Sequence, residues 1–565
     1  MQLLDWLVIA LFFLALIGII VYVMRQKQGN AEDYFLGGKD ATWIAIGASI
    51  FASNIGSEHL IGLAGSGASS GMAMAHWEIQ GWMILLLGWV FVPFYSRSMV
   101  ITMPEFLERR YNGASRTILS VISLISYVLT KVAVTVYAGG LVFQQVFGID
   151  TLWGIDFFWI AAVGLVIITA LYTIFGGMKS VLYTSVLQTP ILLLGSLIIL
   201  VLGLKELGGW DEMMRICSAV EVNEYGDTMT NLIRSNNDAS YPWLGALIGS
   251  AVIGFWYWCT DQFIVQRVLS GKNEREARRG TIFGAYLKLL PVFLFLIPGM
   301  IAFALHQKMG SFLPMDAVTG KAITDAAFPT LVAKLLPAGV KGLIVCGILA
   351  ALMSSLASLF NSSAALFTID FYQRFKPHTD PKKVVKIGQA ATVVIVVLGI
   401  LWIPVMRSVG DVLYLYLQDV QSVLAPGIAA AFLMGILWKR TTPLAGMWGL
   451  LSGLIVGLTR LGAKVYYGGF CGLEPGKVEG TWFQSLFFDY NWLFFCGWML
   501  VFCLFVVLVV TFITKPKPES EIQGLVFGTS TPEQRAETRA SWNKWDIVHS
   551  AIILGITAAF YWYFW

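Results

Sequence analysis

The amino-acid sequence predicts an all-α membrane protein with about fourteen transmembrane helices. Two observations support this fold class. The 565 residues are 57% hydrophobic and only 13% charged, and their mean hydropathy of +0.72 is far above that of a soluble domain. Apolar runs of roughly 20 residues, enough to cross about 30 Å of hydrocarbon, recur from one end of the chain to the other. A soluble enzyme domain is excluded, because the longest polar breaks hold only about 30 residues.

Fourteen apolar spans can be delimited along the chain. The first contains Asp5 and lacks a basic start, so it is interpreted as a retained helix rather than a cleaved signal peptide. The polar stretch before the last span contains three prolines and is interpreted as a linker. The predicted spans cover approximately residues 4–24, 42–71, 77–96, 117–147, 152–174, 180–204, 242–266, 281–305, 342–372, 387–406, 411–437, 442–459, 487–513 and 546–564.

The basic residues indicate how the chain is oriented. With the N-terminus outside, 25 of the 38 Lys and Arg fall on the cytoplasmic side and 11 on the outer side, while Lys131 and Lys288 fall inside apolar spans. This excess is the positive-inside pattern of a topology signal, not a nucleic-acid surface. Both termini are therefore predicted to lie outside the cell membrane, which is the inner membrane if the chain comes from a Gram-negative bacterium.

Two of the six cysteines fall in predicted outer loops. An oxidising compartment would allow Cys217 and Cys471 to form a disulfide, provided that their Cα atoms come within bonding range. The bridge is a hypothesis at this point. The other four cysteines lie in apolar spans, where buried thiols are usually inert.

Two predicted spans are interrupted by polar residues. The span 42–71 places Asn54, Glu58 and His59 at mid-depth, and the span 242–266 carries Asp261 after an aromatic cluster. The two spans are five helices apart and run in opposite directions, as in transporters built from two inverted five-helix repeats. Glycines that allow close helix packing would explain the small residues here but not the polar ones. We therefore predict two broken helices with a substrate and ion site between them.

The first interrupted segment, "FASNIGSEHLIGLAGSGAS", resembles the solute:sodium symporter family and, within it, the sodium/glucose cotransporters. Other matching segments follow in the family's order over most of residues 30 to 440, among them "TMPEFLERRY", "TALYTIFGGMKSVLYT", "WYWCTDQFIVQRVLS", "AALMSSLASLFNSSAALFTIDFY" and "YLQDVQSVLAPGIAAAFLMGILWKR". The resemblance implies a leucine-transporter-type core of ten helices at 42–437. An extra helix and inner linker would precede it at 1–41, and three helices with an inner linker would follow at 438–565.

By position, the resemblance implies that seven residues form a sugar site. Amides donate and accept hydrogen bonds, a carboxylate accepts them and an ammonium donates them, so this set suits the hydroxyls of a monosaccharide. Aromatic rings suit its C–H face and are expected to act as gates. The implied substrate residues are Asn54, His59, Glu78, Tyr257, Trp258, Lys288 and Gln418, and the gates are Trp77, Tyr257 and Tyr414.

Several of these residues also have a purely structural interpretation. Glu78 and Lys288 would neutralise each other as a buried pair without touching substrate. His59 on its own would be an ordinary polar packing residue. Lys131 is interpreted as structural, because its side chain is long enough to snorkel or to pair locally.

A sodium site requires hard oxygen ligands, and two elements of the chain supply them. An unwound helix at the first interruption would expose backbone carbonyls. Ser354 and Ser355 stand three and four residues after Ala351, so the three share one helix face. The alternative is that these serines only bond back to the preceding turn. The expected ligands are Ala52, Ile55, Ala351, Ser354 and Ser355.

Three positions depart from the family's pattern. Relatives with a second sodium site often have Asp where this chain has Ser185, although Ser358 and Ser362 offer oxygens nearby. One sodium is therefore favoured. Gly254 and Gln421 replace polar residues that help some relatives rank sugars, so the exact substrate stays open.

The sequence thus predicts sodium-coupled symport of a monosaccharide of the glucose or galactose type into the cell by alternating access. Its partners are the sugar, sodium as co-substrate and membrane lipid, with no nucleic acid. Two alternatives stay open: a symporter of myo-inositol or another small solute, and a sodium-gated sugar sensor. An enzyme is not predicted, because the spans contain neither a metal cluster nor a nucleophile beside a base.

Overall fold

The computed structural model describes residues 2–26, 29–56, 58–316, 320–337, 339–407, 413–468 and 480–565, and it is mostly helical. Twelve helices in these ranges are long and apolar enough to cross a membrane. Two of them hold more than one predicted span. Phe157–Leu207 contains two, and Glu58–Ser98 contains half of the interrupted span followed by a complete one. Each of the fourteen predicted spans therefore coincides with helical structure.

The helices of the first half run as Leu3–Met24, Ala31–Leu36, Trp43–Asn54, Glu58–Leu63, Ala64–Ser70, Ala75–Glu78, Gly81–Leu86, Leu87–Phe91, Val92–Ser98, Met103–Arg110, Gly113–Ser126, Tyr127–Val132, Ala133–Phe147, Phe157–Leu207 and Trp210–Ser218. Short 3-10 turns lie at Gly37–Lys39 and Gly71–Met74. The strands Thr151–Leu152 and Ile155–Asp156 pair antiparallel in a small hairpin.

The helices of the second half run as Trp243–Gly254, Phe255–Thr260, Gln262–Leu269, Glu274–Lys288, Val292–Leu296, Ile297–Met309, Ala327–Leu335, Val340–Ala365, Leu366–Gln373, Pro381–Arg407, Leu413–Leu437, Pro443–Gly468, Trp482–Gln484, Ser485–Asp489, Trp492–Ile513, Pro532–Ala540 and Lys544–Tyr563. Short 3-10 turns lie at Thr324–Ala326 and Glu519–Glu521.

The two predicted breaks are confirmed. The first broken helix consists of Trp43–Asn54 and residues 58–70, and the backbone of Ile55 between them is extended, with φ −82° and ψ 107°. The second broken helix consists of Trp243–Thr260 and Gln262–Leu269, and Asp261 between them has φ −75° and ψ 128°. Extended backbone interrupts the helical hydrogen bonds, so both breaks leave peptide groups for other partners.

The segments next to both breaks are wound as π-helix, at Glu58–Leu63 and Phe255–Thr260. A third π-helical turn, Tyr127–Val132, interrupts the helix that carries Lys131. Single π-turns insert an extra residue into a helix and often occur at functional sites. His59 and Tyr257 lie within the π-helical segments beside the two breaks.

One glycine divides the long helix Phe157–Leu207 into its two spans. Gly177 has φ 52°, in the left-handed region that favours glycine. A Cβ atom at this position would collide with the carbonyl of Tyr34. The chain therefore turns back at Gly177 and keeps close contact with the helix Ala31–Leu36.

The helix Val340–Ala365, called the serine helix below, lies at the centre of the molecule. In the most apolar 18 residues of the span Val340–Gln373, which this helix begins, 89% of the residues are buried. The corresponding fraction is 22% for Leu3–Met24 and 28% for Lys544–Tyr563. It packs against Phe157–Leu207 and against the first broken helix. This position brings its serines to the first break, while the peripheral helices are far more exposed.

The polar stretch before the last span is more ordered than a plain linker. It contains the helix Pro532–Ala540, which Thr531 and Gln534 cap through a reciprocal pair of hydrogen bonds. Val526 is fully buried, and the backbone N–H of Phe527 donates to the carbonyl of Ile436 at 2.7 Å. The stretch 514–543, called the inner linker below, is therefore docked against the ends of the core helices.

The proposed disulfide stays a prediction. Cys217 is buried in the helix Trp210–Ser218, and its Sγ lies 3.9 Å from the carbonyl of Met300. Cys471 lies outside the described residues.

Candidate functional site

A buried polar cavity of about 50 Å³ lies between the two broken helices. It is large enough for several water molecules. All seven residues predicted to bind substrate line it, and they come from both broken helices and three further helices. The lining residues are Asn54, Glu58, His59, Trp77, Glu78, Gln80, Ile253, Gly254, Tyr257, Trp258, Lys288, Leu417, Gln418 and Gln421.

Four of these side chains form a continuous polar chain across the cavity. The Lys288 Nζ atom donates to Glu78 Oε2 at 2.6 Å, and His59 Nε2 lies 3.3 Å from the same oxygen. Asn54 Nδ2 lies 3.3 Å from His59 Nε2. All four residues are buried, so the carboxylate and the ammonium group are shielded from bulk water and attract each other strongly. This series of polar contacts links the end of Trp43–Asn54 to the helix Glu274–Lys288.

Gln80 is a site residue that the sequence interpretation missed. Its Oε1 accepts a hydrogen bond from Trp258 Nε1 at 3.2 Å, and its Nε2 donates to the carbonyl of Ser250 at 2.8 Å. A Cβ atom at Gly254 would collide with the Gln80 amide. The space left by the missing side chain at Gly254 is thus filled by Gln80, which gives the cavity a polar group at that wall. The sequence feature that could have identified Gln80 is its position inside a predicted apolar span, two residues after Glu78.

The aromatic residues lie on the walls of the cavity. Trp77 stacks on Trp492 with ring centroids 5.6 Å apart. Tyr257 is half-buried and meets the Trp258 ring edge-on at 4.9 Å. The side chain of Tyr414, on the helix Leu413–Leu437, lies outside the described residues. The three gate assignments therefore stay predictions.

Gln418 differs from the other predicted substrate residues in its hydrogen bonding. It is buried, yet its Oε1 has no hydrogen-bond partner among the described residues. A buried amide oxygen without a partner costs free energy, commonly about 1 to 3 kcal/mol. Its place on the cavity wall makes it available to a hydroxyl donor from a ligand.

The predicted sodium ligands gather at the first break. The Ser355 hydroxyl donates to the carbonyls of Ile55 and Ser53, at 3.2 and 3.0 Å. This contact joins the serine helix to the unwound backbone, so Ser355 does not simply bond back to its own helix. The Ser354 Oγ lies 3.4 Å from Ser185 Oγ, and Ala52 and Ala351 are buried in the same two elements. Carbonyl and hydroxyl oxygens are the donor set that a hard cation such as sodium prefers.

Lys131 pairs with Asp261 at the second break. Its Nζ atom donates to Asp261 Oδ2 at 2.6 Å, and the Tyr127 hydroxyl donates to the other carboxylate oxygen. The ammonium also lies 4.8 Å from the centre of the Tyr257 ring. The interpretation of Lys131 as a locally paired residue agrees with this geometry, but the partner was not identified from the sequence. The pair ties the π-helical turn Tyr127–Val132 to the second broken helix.

We expect Tyr127→Phe to lower the free energy of unfolding by about 1.5 to 3 kcal/mol, the usual contribution of a hydrogen bond to a charged group. The substitution keeps the ring and the ion pair but leaves one oxygen of the buried Asp261 without its hydroxyl donor. Thermal unfolding in detergent measures the change. Tyr183→Phe is the control, because Tyr183 is 40% exposed on Phe157–Leu207. An equal loss in both variants would contradict the prediction.

Comparison with known proteins gives consistent results. The family described as "Sodium:solute symporter family" matches residues 34–453. Sodium/glucose cotransporter 4 of Danio rerio is 35% identical over 559 residues, covering 96% of this chain and 83% of that protein. Sodium/glucose cotransporter 1 of Oryctolagus cuniculus is 35% identical over 563 residues, covering 95% and 83%. Sodium/myo-inositol cotransporter 2 of Homo sapiens is 36% identical over 543 residues, covering 93% and 79%.

A solved structure resembles the chain over most of its length. It is the substrate-bound outward-open state of a Na⁺-coupled sialic acid symporter, which covers 91% of this chain and 98% of its own with a TM-score of 0.74. At 22% sequence identity, this similarity shows the fold alone. It confirms the predicted fold class.

Proposed function

Since this chain belongs to the sodium:solute symporter family, we propose that it carries a monosaccharide into the cell together with sodium. The chain is a polytopic membrane transporter coupled to sodium, not an enzyme. The observation that carries the sugar assignment is the cavity between the broken helices, which collects all seven predicted substrate residues. The relatives named sodium/glucose cotransporters support the same substrate class.

The chemistry of the cavity favours a polyhydroxylated, uncharged substrate. Glu78 and Lys288 neutralise each other, so this pair offers a strong acceptor and a strong donor without a net charge. Glu58, the other acidic residue on the wall, lies 3.9 Å from His59 Nδ1. Gln418 and Gln80 add amides, which can each donate and accept. Trp258 and Tyr257 add ring faces for the C–H groups of a sugar. A sugar is larger than the present cavity, so its binding requires the lining helices to separate.

Sodium couples to this movement through the first break. We propose that the ion is held by the carbonyls of Ala52, Ile55 and Ala351 and by the hydroxyls of Ser354 and Ser355. It would take the position in which the Ser355 hydroxyl now bridges to Ile55. The bound ion ties the serine helix to the first broken helix and so favours the outward-open state, in which the sugar site is assembled. Each inward charge adds about 2.3 kcal/mol of driving force per 100 mV of membrane potential.

One sodium per cycle is the stoichiometry that this chain supports. Ser185 is neutral, and its hydroxyl donates to the carbonyl of Val181 at 2.6 Å. Ser358 and Ser362, which offered further oxygens in the sequence, bond to Ser53 and Gln266 instead. A second cation would find no carboxylate at Ser185 to offset its charge.

The transport core is proposed to span residues 42–437, flanked by residues 1–41 and 438–565. Both termini are proposed to lie outside the cell membrane. The support is the excess of basic residues at the opposite ends of the helices, including those beside the inner linker.

A second candidate substrate is myo-inositol. Its support is that the human sodium/myo-inositol cotransporter 2 is as similar to this chain as the glucose cotransporters are. Inositol offers a ring of hydroxyls to the same donors and acceptors, and fold alone does not separate the two substrates.

Uptake of labelled galactose, glucose and myo-inositol into proteoliposomes tests the proposal. We expect accumulation of a monosaccharide that requires an inward sodium gradient and is competed by unlabelled sugar more strongly than by inositol. Stronger competition by inositol would favour the second candidate. Sugar-induced current without accumulation would indicate a sensor, and uptake unaffected by removal of sodium would refute the proposal.

In the same assay, Gln418→Ala is expected to raise the half-saturating sugar concentration by about tenfold, since one good neutral hydrogen bond is worth roughly 1 kcal/mol or slightly more. The change removes an oxygen that has no partner among the described residues, so the fold should lose little. Gln484→Ala serves as the control, because Gln484 lies on the short helix Trp482–Gln484 and is not among the residues that line the cavity. An unchanged sugar affinity in Gln418→Ala would contradict its place in the site.

A further inference from the structure

A second cavity, of about 420 Å³, lies between the end of the helix segment Val92–Ser98 and the inner linker. It is separate from the substrate cavity and shares no lining residue with it. We call it the linker pocket. Its lining residues include Trp89, Phe94, Arg97, Phe527, Arg535 and Thr538.

One end of the linker pocket is cationic. Arg97 and Arg535 line it, and the described residues of its wall include no carboxylate. Arg97 is fixed in place, because its guanidinium donates to Ser530 Oγ at 2.9 Å, to the carbonyl of Gln534 at 3.0 Å and to Thr538. Its Nε atom is buried and has no hydrogen-bond partner among the described residues.

Two acidic residues lie near Arg97 and offset its charge in part. Glu274 accepts from the Arg278 guanidinium at 2.8 Å, so its charge is shared with Arg278, and Glu537 lies on the helix Pro532–Ala540. Arg535 forms no ion pair within the part of the chain that the structure describes. It stands three residues before Thr538, so both face the same side of Pro532–Ala540.

The other end of the linker pocket is apolar. Phe94 and Trp89 form its wall, and the Trp89 ring is held by a hydrogen bond from Nε1 to Ser550 Oγ at 2.9 Å. Phe527 stands at its edge and is 66% exposed. Ser550 lies on Lys544–Tyr563, a helix that is long and apolar enough to cross a membrane and whose apolar segment is only 28% buried. The pocket thus joins a basic end to an exposed, apolar helix.

From this juxtaposition we infer that the linker pocket binds the headgroup of an anionic phospholipid. Its phosphate would bridge Arg97 and Arg535, which are suited to bidentate recognition of phosphate. Its acyl chains would pass Trp89 and run along Lys544–Tyr563. Basic pockets between membrane helices on the cytoplasmic side bind such headgroups in other proteins. The lipid would fasten the inner linker to the core.

Native mass spectrometry of the purified full chain tests the inference, with phosphatidylglycerol and phosphatidylcholine of equal chain length added in equal amounts. We expect preferential retention of phosphatidylglycerol and a rise in melting temperature with that lipid. Arg535→Gln should weaken its retention by about fivefold to tenfold. Neither sugar nor sodium is present, so the outcome does not depend on the proposed function.

Arg539→Gln is the matched control. Arg539 lies on the same helix, but its guanidinium stacks on Trp542 at 4.0 Å and does not line the linker pocket. Equal losses in Arg535→Gln and Arg539→Gln would indicate general surface charge and overturn the inference. So would an absence of preference for phosphatidylglycerol, or an equal rise in melting temperature with soluble glycerol phosphate.

Discussion

Ser355→Ala is expected to raise the sodium concentration that half-saturates sugar uptake by about a hundredfold. The hydroxyl bridges the serine helix to the Ile55 carbonyl, and it is one of only five proposed oxygen ligands. Hydrogen bonds and ligands to a charged group contribute about 1.5 to 3 kcal/mol, which corresponds to roughly tenfold to 150-fold in affinity. Uptake measured over a series of sodium concentrations, at fixed sugar and membrane potential, gives the shift.

Ser363→Ala controls for general damage to the serine helix. Ser363 is also buried there, and its hydroxyl has no hydrogen-bond partner among the described residues. It lies about two helical turns from Ser355, so its loss should leave the sodium dependence unchanged. If Ser355→Ala keeps the wild-type sodium dependence, or if Ser363→Ala shifts it equally, the proposed ion site is wrong.

Much of the fold could be predicted from the sequence, because a membrane imposes strong local rules. Each span had to be apolar over about 20 residues, so composition alone delimited it. Polar residues in mid-span at Asn54 and Asp261 predicted breaks, because intact lipid-facing helices hardly tolerate them. Both breaks are present, one at Ile55 directly after Asn54 and the other at Asp261. The family resemblance supplied the substrate residues, and all seven line one cavity.

The pairing of buried groups could not be predicted in the same way. Lys131 and Asp261 are 130 residues apart in sequence, and a charge in a span does not identify its partner. Gln80 fills the space beside Gly254 because two helices approach each other there, which depends on tertiary packing. From its three prolines, the inner linker was predicted only to be a linker. Its order comes from contacts with Arg97 and Ile436 that only the folded chain provides.

The Glu78–Lys288 pair has two alternative roles. It either binds substrate or only stabilises the fold. The 2.6 Å contact between two buried charges is compatible with both. A structural pair would stabilise the fold and leave substrate binding to other residues. A substrate pair would also present its remaining hydrogen-bonding capacity to the sugar. The two roles predict different outcomes when both charges are removed together.

Glu78→Gln is expected to abolish sugar uptake and to lower the free energy of unfolding, because Lys288 keeps a buried charge without its carboxylate. Breaking a buried pair from one side commonly costs about 3 to 5 kcal/mol. In the double variant Glu78→Gln and Lys288→Gln, both charges are absent, so most of that stability should return. If the pair contacts the sugar, uptake stays more than a hundredfold below wild type, since two charge-assisted hydrogen bonds to substrate are gone. Thermal unfolding and uptake are measured on the same preparations. Recovery of uptake together with stability would assign the pair a structural role alone, because the sugar would then bind without either charge.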